Sequence, residues 1–292
     1  MEEKDFLFFN YSWVRNSTII FEKFKDMGHT IDIIDERTIT SFIPNCKYKN
    51  VVLYLHEEWT LPITSRLLLN ELKDSFLIQH DDTDFEQIQN WSPREPDLYM
   101  HRELTDDTII STKSPVYPFH FPVDSIYDEK LQNKEIDVSF MGCPTNYRRI
   151  PFINKIMELS KNSLSHLNWY IEFNHGRNPE KFKEITNKSK ITLHYFGNSY
   201  DSLRIWEVIS ANSALIMPKF RNWSVNDNHM PFNEYLKIND DFSDLEEKIL
   251  YLLDNNRYKS LANDGFNAYN NYHNPDKCFE YYYNKVIQHC RI

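Results

Sequence analysis

Short apolar runs alternate with amphipathic stretches along this chain, and the alternation starts over midway. Phe6-Leu7-Phe8-Phe9, Thr30–Ile34 (TIDII), Val51–Leu55 (VVLYL) and Phe76-Leu77-Ile78-Gln79 are compact runs dominated by apolar, β-branched and aromatic residues. Helical segments separate them. One begins near Ser17, a capping residue, and runs to Met27, with Gly28 able to take the left-handed position that ends a helix. Another covers 64–73. Strands alternating with helices predict βαβ units and a parallel sheet.

Around 111–132 the texture changes. Pro115, Pro118 and Pro122 punctuate the chain, which marks a linker. The rhythm then restarts. Strands are expected at Ile136–Met141 (IDVSFM), Trp169–Phe173, Ile191–Phe196 (ITLHYF) and Ala214–Met217, with a short one at Tyr235–Ile238. Helices are expected from Arg148, over 179–187 and over 202–211. Three more, near 243–254, 258–269 and 276–289, close the chain. This predicts domains at 1–115 and 135–292 joined by a linker at 116–134.

Composition narrows the function. The chain has 292 residues, 41% of them hydrophobic, enough for a sizeable core. A formal net charge of −10 weighs against a long DNA duplex as a tightly gripped partner. No apolar stretch is long enough to predict a membrane span. The acidic start, MEEKD, does not resemble a secretory leader. Cys46, Cys143, Cys278 and Cys290 form no CxxC, so a reducing, cytoplasmic setting is expected and a structural zinc site is not.

There are only five glycines, and two of them, Gly142 and Gly197, directly follow predicted strands. Doubly wound sheets bind ligands at those turns. After Gly142, Arg148 and Arg149 stand at a helix start, where cations are unfavourable unless an anion is bound. They are either solvated first-turn residues or phosphate ligands. After Gly197, Arg204 and Glu207 lie three apart on one helix face. They form either an intrahelical ion pair or a ligand-holding pair, the arginine on a phosphate and the glutamate on ribose hydroxyls. His194 reads as a satisfied core or cleft histidine. In the first half, "FLIQHDDTDF" ends a strand in carboxylates, either a solvated loop or a catalytic group. Asp82-Thr83-Asp84 spells a metal-binding DxD by composition, and His56-Glu57-Glu58 is a second acidic strand end.

The segment "SLRIWEVISANSALI" (202–216) resembles the nucleotide-sugar segment of GT-B glycosyltransferases, above all the CgeB/YkvP-like enzymes and the phage DNA β-glucosyltransferases. "FPVDSIY" followed by "EIDVSFMGCPTNYRR", and the tail "LEEKILYLLDNNRYKSLANDGFNAYNNYH", are similar to the same proteins. The resemblance covers about residues 119–290 and extends to the first half in pattern only. It implies an α/β protein of GT-B type: two Rossmann-like domains with parallel sheets facing across a crevice, and a helical C-terminal tail. It implies a hexosyltransferase-like enzyme taking a nucleotide sugar, UDP-linked by preference. Glu207 would hold the ribose, and Arg204, Arg149 and neighbouring Arg148 the diphosphate. Gly142 would admit the donor beside the backbone, with Gly197 at the next turn. Asp81, or Asp82 beside it, would take the acceptor proton. Ser199 stands where many retaining members carry a second glutamate, so the expected transfer is inverting. With arginines on the diphosphate, no cofactor beyond the donor is expected, although a divalent metal stays open. The acceptor would be a glycan, a protein or a small molecule. The alternatives are a DNA glycosyltransferase acting on hydroxymethylated bases, and an inactive GT-B-shaped binding protein.

Overall fold

The computed structural model describes residues 3–11, 16–35, 38–39, 41–44, 46–55, 63–81, 88, 90, 92–102, 104–105, 108, 110, 112–119, 122–144, 147–173, 178–197, 202–220 and 232–290. Two units emerge. The first comprises Met1–Pro122, Asn222–Asn226 and Asp276–Ile292, and the second Val123–Arg221 and Asp227–Pro275.

The first unit is built on six parallel strands: β1 (Glu3–Tyr11), β2 (Ile31–Asp35), β3 (Lys47–Leu55), β4 (Phe76–Asp81), β5 (Leu98–His101) and β6 (Val116–Pro118). Their order is β2-β1-β3-β4-β5-β6. The unbroken apolar run Phe6–Phe9 is explained by its burial on both faces, all four side chains being fully buried. Phe6 and Phe8 meet Phe24 and Phe21 of α1 (Asn16–Asp26). Leu7 and Phe9 join a cluster with Leu68 and Leu69 of α2 (Ile63–Glu71) on the other side. Gly28, at φ 90°, ends α1 as expected.

Two features differ from the sequence reading. Strands β5 and β6 were not anticipated; β5 is four residues long and β6 falls inside the expected linker. The last helix, α8 (Pro275–His289), packs almost entirely with the first unit rather than closing the second. Phe279 stacks edge-on to Phe24, the Tyr283 hydroxyl is 2.8 Å from His29 Nε2, and His289 Nε2 is 2.9 Å from the Tyr117 hydroxyl.

The second unit has five parallel strands: β7 (Ile136–Met141), β8 (Trp169–Glu172), β9 (Ser189–Leu193), β10 (Ala214–Pro218) and β11 (Leu236–Ile238). Their order is β11-β10-β9-β7-β8. Helices α3 (Ile150–Lys161), α4 (Pro179–Lys188), α5 (Leu203–Ser210), α6 (Leu245–Leu253) and α7 (Tyr258–Ala268) accompany them. Phe140, Phe152, Ile191, Ile216 and Ile249 centre its core. Buried hydroxyls are satisfied by one another: Ser139 Oγ lies 3.1 Å from Thr192 Oγ1, which is 2.8 Å from Ser213 Oγ. Trp206 of α5 is fully buried and stacks on His273, with ring centroids 4.4 Å apart.

The strand order within each sheet reverses next to its first strand, between β1 and β3 and between β7 and β9. Such a reversal opens a crevice at the carboxyl ends of the flanking strands. In the first unit, the residues after β1 and β3, including His56-Glu57-Glu58, lie outside the described residues. In the second, 142–144, 147–149 and 194–197 are described and carry the site below.

Candidate anion-binding site

After β7 the chain makes a single 3-10 turn, Tyr147–Arg149, before α3. Arg148 points out of this turn and is exposed. Arg149 turns inward and joins the two loops that flank the reversal. Its Nε donates to the carbonyls of Phe196 (3.0 Å) and Tyr195 (3.3 Å), and its Nη1 to the carbonyl of Cys143 (3.2 Å). A Cβ on Gly197 would sit 3.0 Å from Arg149 Nη2, so glycine is what lets the guanidinium settle there. Burial lowers the Arg149 pKa; the Cys143 thiol opposes this, and the Arg204 charge lowers the pKa further. Among the described residues no carboxylate pairs with Arg149. A half-buried cation held only by carbonyls, with a second cation acting on it, is short of one anion.

Arg204 and Glu207 do pair: Arg204 Nη1 is 2.8 Å from Glu207 Oε2, and both side chains are partly exposed. That is the intrahelical ion pair expected from their spacing. Arg204 also lies flat over the Phe182 ring of α4, 3.7 Å from its centroid. Phe182 was not singled out in the sequence, where only a helix over 179–187 was expected. Neither α3 nor α5 has an acid in its first turn, and α5 is capped by Ser202 Oγ, which accepts from the Arg204 amide. Both helix starts therefore favour a negative guest.

His194, directly after β9, departs from expectation. It is only 6% exposed, and its Nε2 has no hydrogen-bond partner among the described residues. Burial and the charges of Arg149 and Arg204 push its pKa down to about 3. Gly142 has a local reason for being glycine: a Cβ there would sit 2.8 Å from Phe140 Cζ.

In the first unit, Asp81 ends β4 beside His101, which ends β5, and the two residues are in register. Asp81 Oδ2 is 3.3 Å from His101 Nδ1, and both side chains are fully buried. His101 was overlooked in the sequence, although it ends an apolar run in the way that His80-Asp81 does. Asp82, the rest of the DxD and Ser199 lie outside the described residues.

No family model matches the chain, and no curated protein does. Solved structures do. An alpha-glucosyltransferase in complex with UDP-glucose and DNA containing an abasic site is 13% identical over 98% of this chain and 100% of its own, with a TM-score of 0.56. Anabaena Alr3699/HepE in complex with UDP-glucose is 8% identical over 98% and 100%, also with a TM-score of 0.56. The pneumococcal O-GlcNAc transferase GtfA, in complex with UDP and GlcNAc, is 11% identical over 83% of this chain and 57% of its own, with a TM-score of 0.53. The chain has the fold of the GT-B glycosyltransferases.

Proposed function

We propose that this protein is a glycosyltransferase that binds a nucleotide sugar, UDP-linked by preference, and transfers its sugar to an acceptor hydroxyl. The observation that carries the reading is Arg149, a cation without a carboxylate partner among the described residues, at the strand-order reversal where doubly wound sheets bind ligands. The complexes of the similar structures with UDP or UDP-glucose agree with that choice of donor. A diphosphate supplies the missing negative charge, and guanidinium groups meet its oxygens in matched geometry. Glu207 takes the ribose hydroxyls.

Asp81 serves the acceptor side as the base, and transfer is inverting and independent of a metal, because arginines neutralise the leaving diphosphate. The acceptor is a glycan, a protein or a small molecule. The charge of −10 disfavours DNA, so hydroxymethylated DNA is an acceptor to test second. No helix among the described residues is long and apolar enough to cross a membrane, and no disulfide joins the four cysteines.

A thermal-shift panel of nucleoside diphosphates and nucleotide sugars, with and without EDTA, tests this reading. UDP and a UDP-sugar should raise the midpoint with or without EDTA, and Arg149→Met should abolish the shift. No shift with any nucleotide sinks the donor assignment, and a shift lost on chelation sinks metal independence. Slow release of UDP from a UDP-sugar without acceptor distinguishes an enzyme from a binding protein.

A further inference from the structure

We propose that His273 is a positioning residue for the nucleotide. By stacking on Trp206 it sets the roll of α5, and with it the place at which Arg204 and Glu207 meet the diphosphate and the ribose. This rests on the donor reading above and adds a residue that touches α5 rather than the ligand.

Helix α5 has two faces with different tasks. Arg204 and Glu207, three apart, lie on a partly exposed face. Trp206 and Ile209, also three apart, lie on the opposite face and are fully buried. A helix of eight residues owes its place to packing rather than to its own backbone, so its seating depends on what those two side chains meet.

Both meet the last part of the second unit. Ile209 faces α7 at Gly265, where a Cβ would stand 3.3 Å from Ile209 Cγ2, so the missing side chain lets the two helices close together. Beyond α7 the chain widens into one π turn, Tyr269–His273, with the Asn274 amide donating to the Tyr269 carbonyl at 2.8 Å. His273 of that turn is fully buried and lies flat on the indole of Trp206, 4.4 Å between centroids and 28° between planes. Phe232 stands against both rings, 5.1 Å from Trp206 and 5.8 Å from His273. The turn is itself fastened: the Tyr269 hydroxyl donates to the Val123 carbonyl at 2.6 Å. The imidazole is therefore a flat stop on a fixed base.

A flat ring against a flat ring resists rotation of the helix about its axis. Arg204 and Glu207 reach out from the far face, so a small rotation moves their tips by more than it moves the backbone. Hydrogen bonds weaken steeply with distance and angle, so the ligand contacts are the first to feel such a rotation.

Titration calorimetry on the full chain, with UDP and with 2′-deoxy-UDP, tests the idea. His273→Leu keeps bulk but loses the flat face. UDP affinity should fall about two- to twelvefold, the range that an aromatic pair is worth. The preference for UDP over 2′-deoxy-UDP should narrow as well, because Glu207 is displaced with the helix. His273→Phe restores the flat face and should recover most of both losses. A lower unfolding midpoint with UDP affinity and preference unchanged makes His273 structural and overturns the proposal, and so do equal losses in the two variants. Should the leucine variant fail to fold, Gly265→Ala pushes on α5 through Ile209 and must also weaken UDP binding; unchanged binding overturns the proposal. Wild-type protein that binds no UDP overturns the donor reading, and this proposal with it, whereas binding shared equally by all variants overturns this proposal alone.

Discussion

The two sheets share one strand-order plan, yet the ends of their strands carry opposite chemistry. In the second unit, the loops at the reversal gather Arg149, Arg204 and the buried His194, and among the described residues Arg149 has no counter-charge and His194 Nε2 no hydrogen-bond partner. In the first unit, two strand ends meet in a fully buried pair, Asp81 against His101. One end is short of an anion, and the other places a carboxylate beside an imidazole. The plan fixes where a site can be; the residues at two or three strand ends decide whether it holds charge or handles protons.

The sharpest way to break that contrast is Asp81→Asn. Removing a general base costs about 10²–10⁴ in turnover. Transfer should fall by that factor while UDP affinity, which the proposal assigns to the second unit, stays unchanged. The substitution also disturbs a fully buried polar contact, so the unfolding midpoint must be followed alongside it. A fall in stability with transfer preserved would make Asp81 and His101 a structural pair only. The anomeric configuration of the wild-type product, read by NMR, is a second check, because a retained configuration removes the role given to Asp81.

Much of this contrast could be read from the chain. The long apolar runs announced the parallel sheets because burial on both faces leaves no room for polar alternation. Gly197 and Arg149 were visible as separate signals. That the glycine makes space for the arginine was not visible, since it depends on a contact across 48 residues. Strand β5 escaped notice because LYMH is too short to show periodicity, and His101 escaped with it. His194 is buried as its sequence context suggested, but sequence does not show whether its nitrogens find partners, and among the described residues Nε2 has none. Helix α8 was assigned to the nearer unit in sequence, whereas its aromatic face fits Phe24 and His29 of the first.

Glu207 offers a middle-sized test. It pairs with Arg204, but a partly exposed pair of this kind contributes only about 0.2–1 kcal/mol. A carboxylate bonded to ligand hydroxyls is worth about 1.5–3 kcal/mol, so a ribose can displace the arginine. Glu207→Ala should therefore weaken UDP binding about 10- to 150-fold. It should weaken 2′-deoxy-UDP much less, because one of the two hydroxyls is already gone. If wild-type protein binds UDP and 2′-deoxy-UDP alike, Glu207 does not hold the ribose, and the ion pair is its whole function.

The smallest effect separates the two glycines. Gly197→Ala would put a Cβ 3.0 Å from Arg149 Nη2, and the guanidinium must yield by a few tenths of an ångström. Forcing a side chain off its rotamer costs about 0.5–1.5 kcal/mol, so UDP affinity should drop about two- to tenfold. Gly142→Ala meets the Phe140 ring instead, at 2.8 Å, inside the core. It should lower the unfolding midpoint and leave UDP affinity near wild type. The reverse ranking, with Gly142→Ala the more damaging to binding, would mean that the donor lies against the β7 loop. Arg149 would then support the loops rather than contact the phosphates.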